Sequence, residues 1–186
     1  MALYATIFYF LLPLMLSMVH FSVSASNGIG EGVVKRGTPM KAALIFAIST
    51  FILTWIGYYL ASLLINRFDY KPESIAFLFF AITGFRMILH AWQKKASKKI
   101  FDINEIPVIF ALALALGMNI LFMGIAVRFL ELNAMRYSVT IALSVLLLSF
   151  SGLIFGNQFG DNLGWKLELI AGIFLLGNGV WLFSFL

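Results

Sequence analysis

Six apolar runs, at about residues 3–25, 42–65, 74–92, 107–128, 138–158 and 165–186, fill most of this chain and decide what it can fold into. Each holds roughly the 20 residues that a helix rising about 1.5 Å per residue needs to cross the hydrocarbon of a bilayer. Backbone inside hydrocarbon has no water to bond, so each run must satisfy its own amides as a helix. Composition agrees: 62% of the 186 residues are hydrophobic and 11% charged, against roughly 45–50% and 25% in soluble domains. The sequence therefore predicts an all-α integral membrane protein with six transmembrane helices and a single transmembrane domain over residues 1–186.

The spacers are short and hold nearly all the charge. Turn formers punctuate them: Gly28, Gly30, Gly32, Gly37 and Pro39 in the first, Pro72 in the second, and the stretch from Asp102 to Pro107 closing the third. Cytoplasmic loops collect Lys and Arg. Loops one, three and five carry eight (Lys35, Arg36, Lys41, Lys94, Lys95, Lys98, Lys99 and Lys166), whereas loops two and four carry four (Arg67, Lys71, Arg128 and Arg136). The expectation is that loops one, three and five are cytoplasmic and both termini outside. The surplus of 13 basic over 8 acidic residues is thus explained by anionic lipid, not nucleic acid. No cysteine is present, which excludes disulfides and thiolate metal sites.

Val23-Ser24-Ala25 has the small-residue pattern of a leader cleavage site. Met-Ala-Leu-Tyr supplies no basic start, however, so the first run is read as a retained helix. It also has a counterpart later in the chain. Leu16-Ser17-Met18-Val19 aligns with Leu116-Gly117-Met118-Asn119, and Ile56-Gly57 loosely with Ile154-Phe155-Gly156. Halves of three spans each have opposite orientation, so the expected plan is two inverted three-helix repeats. Repeat one covers about 1–92, a cytoplasmic loop about 93–106, and repeat two about 107–186. That plan places a substrate near the midplane, on repeat-related helices.

On helix one, Ser17, His20, Ser24 and Asn27 fall within an arc of about 80° at 100° per residue. Small polar side chains suit close helix packing in lipid, whereas an imidazole at such depth needs a partner or water and often marks a pathway. Asn119 lies about twelve residues into helix four, about 18 Å along it and so near the midplane. Asn178, between Gly177 and Gly179 on helix six, is a second amide at mid-depth. The methionines at 15, 18, 118 and 123 read as packing. Arg86 is the one cation away from the ends of an apolar run, and Glu168 near the start of helix six is its expected partner, as a structural ion pair or an intracellular gate. His20 and His90 are the only histidines and fall on different helices. The sequence shows no phosphate-cradling loop, His-Glu metal motif or nucleophile-base pair. It assigns no catalytic residue, enzyme activity or cofactor, and leaves the metal ligands unknown.

Together these residues resemble the bacterial manganese efflux pumps of the lysine-exporter superfamily. Ser17-Met18-Val19-His20-Phe21, continuing to Ser24 and Gly28, is similar to that family's Ser-Met-Asp-Ala-Phe run. Gly84-Phe85-Arg86-Met87-Ile88 is similar to its Gly-Gly-Arg-Met-Ile stretch, and Met118-Asn119 followed by Gly124 to its second-half Leu-Asp motif. Gly156, Gly160, Gly164, Lys166, Glu168, Gly172 and Gly177-Asn178-Gly179-Val180 match its last two helices. The resemblance implies a multi-pass protein of the bacterial cytoplasmic (inner) membrane, built as inverted repeats, that exports a small cation. It also locates the departures: the family's transmembrane aspartates match Val19 and Asn119, a glutamate of helix two matches Thr50, and the carboxylate after Arg-Met-Ile matches His90. Valine offers a cation no ligand and asparagine only a neutral carbonyl.

Two functions follow as expectations. One is a transporter of a metal cation or other small solute, its altered pathway formed by His20, Asn119, Asn178, Thr50, Ser17 and Ser24. The other is a non-transporting membrane subunit or scaffold on the same fold, with a membrane-protein partner or a second copy.

Overall fold

The computed structural model describes residues 7–28, 37–64, 72–96, 101, 103–185. Six stretches within its helices are long and apolar enough to cross a membrane: Tyr9–Asn27, Thr38–Leu63, Ser74–Gln93, Ile106–Phe129, Ala134–Gly156 and Leu163–Trp181, numbered here spans one to six. A single π-helical turn, Ile7–Leu11, leads into the helix Leu12–Gly28. Span two starts just after Gly37, whose φ of 97° is one that L side chains rarely adopt. Span four starts with Pro107 in its first turn, where a missing amide hydrogen costs no helical bond.

Spans five and six belong to one helical stretch, Ala134–Phe185, yet the chain doubles back within it. A Cβ added at Gly152 would lie 2.9 Å from the Phe21 carbonyl oxygen and the Ser24 Cβ, and one at Gly156 would strike the Ala25 carbonyl. Eight residues later, one at Gly164 would lie 3.1 Å from the Ser22 hydroxyl. The path has climbed span one and returned.

Span one is the centre of the bundle. Two-thirds of it (67%) is buried inside the protein and half (50%) of span four, against a third (33%) of each of the others. Both central spans are approached in the same way. A Cβ at Gly57 on span two would strike the Leu121 carbonyl of span four and pass 3.2 Å from the Gly124 Cα; one at Gly124 would strike the Thr54 carbonyl. Spans three and six meet reciprocally: a Cβ at Gly84 would lie 2.8 Å from the Gly172 carbonyl oxygen and 2.9 Å from Leu176, while one at Gly172 would lie 2.9 Å from the Gly84 carbonyl oxygen and 2.8 Å from Ile88. Lipid tails are as apolar as leucine, so helices in a membrane associate by close packing of small residues. The glycines supply it here.

Both ends of span one are tied to loops, one within the second half and one between the halves. The Asn133 amide donates to the Tyr9 hydroxyl (2.8 Å), and the Phe101 amide donates to Asn27 Oδ1 (2.6 Å). The outer faces of spans two, three and five are apolar and exposed, with Ile48, Trp55, Tyr59, Phe85, Trp92, Leu143 and Leu147 among them. That is the surface a bilayer covers.

Candidate functional site

The polar side chains of the interior sort into two groups. In one, each side chain is satisfied by its own helix. The Ser17 hydroxyl donates to the Leu14 carbonyl (2.8 Å), Ser26 to Ser22 (3.1 Å), the Asn27 amide to Val23 (2.8 Å), Thr54 to Thr50 (2.8 Å) and the Asn178 amide to Phe174 (2.8 Å). Of the sequence candidates, Ser17 and Asn178 fall here; both are helix-internal polarity.

The other group is buried with polar atoms that find no protein partner among the described residues. It comprises both ring nitrogens of His20, the hydroxyls of Ser24, Thr83, Tyr137, Ser138 and Ser149, the Asn119 carbonyl oxygen and one carboxylate oxygen of Glu168. Native interiors leave few such atoms, because each costs about 1–3 kcal/mol. They are spread over spans one, three, four, five and six, and buried groups of this kind are ordinarily satisfied by water or a polar ligand. His20, Ser24 and Asn119 were legible from the sequence. Thr83, Tyr137, Ser138 and Ser149 were not, since a lone hydroxyl in an apolar run reads as packing until its neighbours are known.

His20 is 1% exposed and presents its ring at 65° to Phe46 of span two, the centroids 5.7 Å apart. Thr50, one turn along span two from Phe46, is likewise buried. Val19 belongs to the apolar cluster that also contains Phe46, Leu116, Ile120 and Met123. Among the described residues no three His, Asp or Glu side chains are grouped so as to hold a metal ion.

The expected pairing of Arg86 with Glu168 is corrected. Glu168, fully buried, places Oε1 2.5 Å from Nδ1 of His90. Arg86, one turn earlier on span three, donates to the Ala115 carbonyl of span four (3.2 Å). Residues four apart share a helix face, so the sequence brings both to the same side of span three without choosing between them. The longer Arg side chain reaches across to a backbone acceptor, leaving the imidazole against the carboxylate.

Residues 33–183 match the family described as "Putative manganese efflux pump". The chain belongs to this family. Among similar proteins, that of Elusimicrobium minutum is 32% identical over 163 residues, 87% of this chain and 88% of the relative. The relative from Methanosarcina acetivorans is 31% identical over 173 residues, 91% of each chain. The one from Photorhabdus laumondii is 30% identical over 185 residues, covering 96% of this chain and 92% of the relative. All three carry the name MntP. No solved structure matches the chain. Family membership and six apolar spans make this a multi-pass membrane transporter, in agreement with the first of the two functional expectations.

Proposed function

We propose that this transporter exports a small metal cation, manganese being the cargo named for its relatives, through a path between spans one and four. The observation that carries this reading is the set of buried atoms without protein partners, with His20 and Ser24 on span one and Asn119 on span four. Thr50, Thr83 and Ser149 belong to the path's walls. At Val19 and Asn119, where the family resemblance places aspartates, the path is neutral. The cation is therefore stabilised by imidazole, amide and retained water, not by carboxylates.

Two inverted three-span halves underlie the movement. In support, span five meets span one at Phe21 and Ser24, and span two meets span four at Leu121 and Gly124, positions that correspond in the aligned repeats. The reciprocal contact of Gly84 and Gly172 fits a pseudo-two-fold axis between spans three and six. The basic loops orient the protein in the cytoplasmic membrane with both termini outside.

The test is metal-resolved flux in proteoliposomes, offering Mn²⁺, Co²⁺, Ni²⁺ and Zn²⁺ separately. Wild type moves at least one of them. Asn119→Leu and His20→Ala each lower that flux about tenfold or more, the equivalent of about 1.4 kcal/mol or more in barrier height. A chain that moves none of the four is the non-transporting scaffold instead.

A further inference from the structure

Glu168 is fully buried, five residues into span six, and His90 is its hydrogen-bond partner among the described residues. A ring nitrogen and a carboxylate oxygen within hydrogen-bond distance share a proton, since two lone pairs facing each other repel. The ring carrying that proton is 45% exposed on the protein's surface and lies near the Gln93 end of span three, within reach of interfacial water, while the second carboxylate oxygen is buried without a partner among the described residues. The pair thus joins an accessible imidazole to a sequestered carboxylate.

We propose that His90 and Glu168 form a proton-exchange site that couples transport to protons; this rests on the transport reading above. A proton taken from water at Nε2 of His90 lets the Nδ1 proton pass to Oε1 of Glu168. The product is a neutral imidazole in its other tautomer and a neutral carboxylic acid; release reverses both transfers. The tautomer switch makes the ring a relay, and no bond to carbon changes.

The location gives the proton leverage. His90 is on span three and Glu168 on span six, one from each half, and Glu168 stands one turn from Gly172, where these spans touch. A carboxylate in this dry position is held by the proton it shares with His90, whereas a carboxylic acid needs no counter-charge. Proton uptake therefore loosens the tie between the halves, and proton loss restores it.

Among the residues whose side chains the structure describes, few on the helices packed around the pair are charged or titratable. Span three adds Arg86, bonded to Ala115 of span four, and span six adds Lys166, whose ammonium lies over the Trp165 ring (5.9 Å). Span one has Tyr9 and His20, span two Lys41, Tyr58 and Tyr59, span four Arg128, which bonds Ser62 (3.0 Å), with Glu105 before its first turn, and span five Arg136 and Tyr137. None of these is hydrogen-bonded to Glu168 among the described residues.

Two measurements on the reconstituted full-length protein test the proposal. Infrared difference spectra between mildly acidic and mildly alkaline buffer, with no metal present, should show a carboxylic-acid carbonyl band and imidazole bands changing together. Glu168→Gln should remove the carbonyl change, and His90→Gln should remove the imidazole change and leave the carboxyl protonated throughout. His90→Gln alters a half-exposed position, so it keeps the test open should Glu168→Gln fail to fold. No carbonyl change in wild type, or the same change persisting in Glu168→Gln, overturns the proposal. In vesicles enclosing a pH-sensitive dye, an imposed Mn²⁺ gradient should drive proton movement that is lost in Glu168→Gln. Mn²⁺ flux without proton movement overturns proton coupling and leaves transport standing. The expected infrared changes with no Mn²⁺ flux support the exchange site and count against manganese as the cargo.

Discussion

Spans one and four are the two central helices, and they are built on one plan with different chemistry. Each is met by a glycine-bearing neighbour at backbone distance: span one by Gly152 and Gly156, span four by Gly57. The buried face of span one carries Ser17, His20, Ser22, Ser24, Ser26 and Asn27, whereas span four buries one polar side chain, Asn119, among Leu116, Ile120, Met123 and Ile125. Close packing therefore does not require polarity, because span four achieves it with glycine and apolar side chains. Beyond its back-bonded Ser17, Ser26 and Asn27, span one buries His20 and Ser24 with polar atoms that find no partner among the described residues, and these are the groups the proposed path draws on.

The largest test of this contrast inserts a charge on each span. Val19→Asp puts a carboxylate into the apolar cluster and should cost about 2.5–3.5 kcal/mol, the penalty for a charge at mid-bilayer. Asn119→Asp, which starts from a polar and unpartnered side chain, should cost visibly less. Thermal unfolding in detergent reads the difference, and equal costs would erase the distinction drawn here. The double variant should regain stability when Mn²⁺ is added, because two carboxylates supply the oxygen ligands this cation prefers.

Next come the helix contacts. Gly57→Ala and Gly156→Ala each drive a methyl into a backbone carbonyl of a central span, at an expected cost of about 1–3 kcal/mol. Gly177→Ala, with nothing within 4 Å of the added carbon, should leave the unfolding temperature unchanged. If Gly57→Ala proves neutral while Gly156→Ala does not, the shared plan of the two spans fails.

The smallest effect separates the serines of span one. Ser17→Ala removes a hydroxyl bonded to its own helix and should change stability by less than about 0.5 kcal/mol, with flux intact. Ser24→Ala should preserve stability equally but lower flux. Matching flux in the two variants would dissolve the division between satisfied and unpartnered polarity.

Much of this architecture was legible in the residues. The apolar runs located all six spans, because length and hydrophobicity are what a bilayer demands; their ends lie close to those of the helices seen, except the start of the first run, which lies outside the described residues. The reversal between Gly156 and Gly164 was legible as well, because glycine, asparagine and aspartate crowd the gap between the last two runs; that helical structure would nonetheless continue through it, from Ala134 to Phe185, was not. For the site, burial of His20, Ser24 and Asn119 followed from their depth within apolar runs. Whether a polar side chain spends its hydrogen bond on its own helix did not, which is why Ser17 and Asn178 looked equivalent to them. The choice of His90 over Arg86 as the partner of Glu168 depends on side-chain reach across three helices, a quantity that periodicity does not encode.

The packing of span one also bears on how the protein is made. Apart from the Phe46 ring of span two beside His20, its helical partners are spans five and six, and its end bonds reach Phe101 and Asn133. Every one of these is synthesised long after span one has left the ribosome. The most polar buried helix therefore enters the bilayer before the surfaces that cover its polarity exist. Its residence beside an insertase or another shielding protein must outlast translation of the second half. A chain cut short before span five should consequently strand span one in lipid and be cleared by membrane quality control.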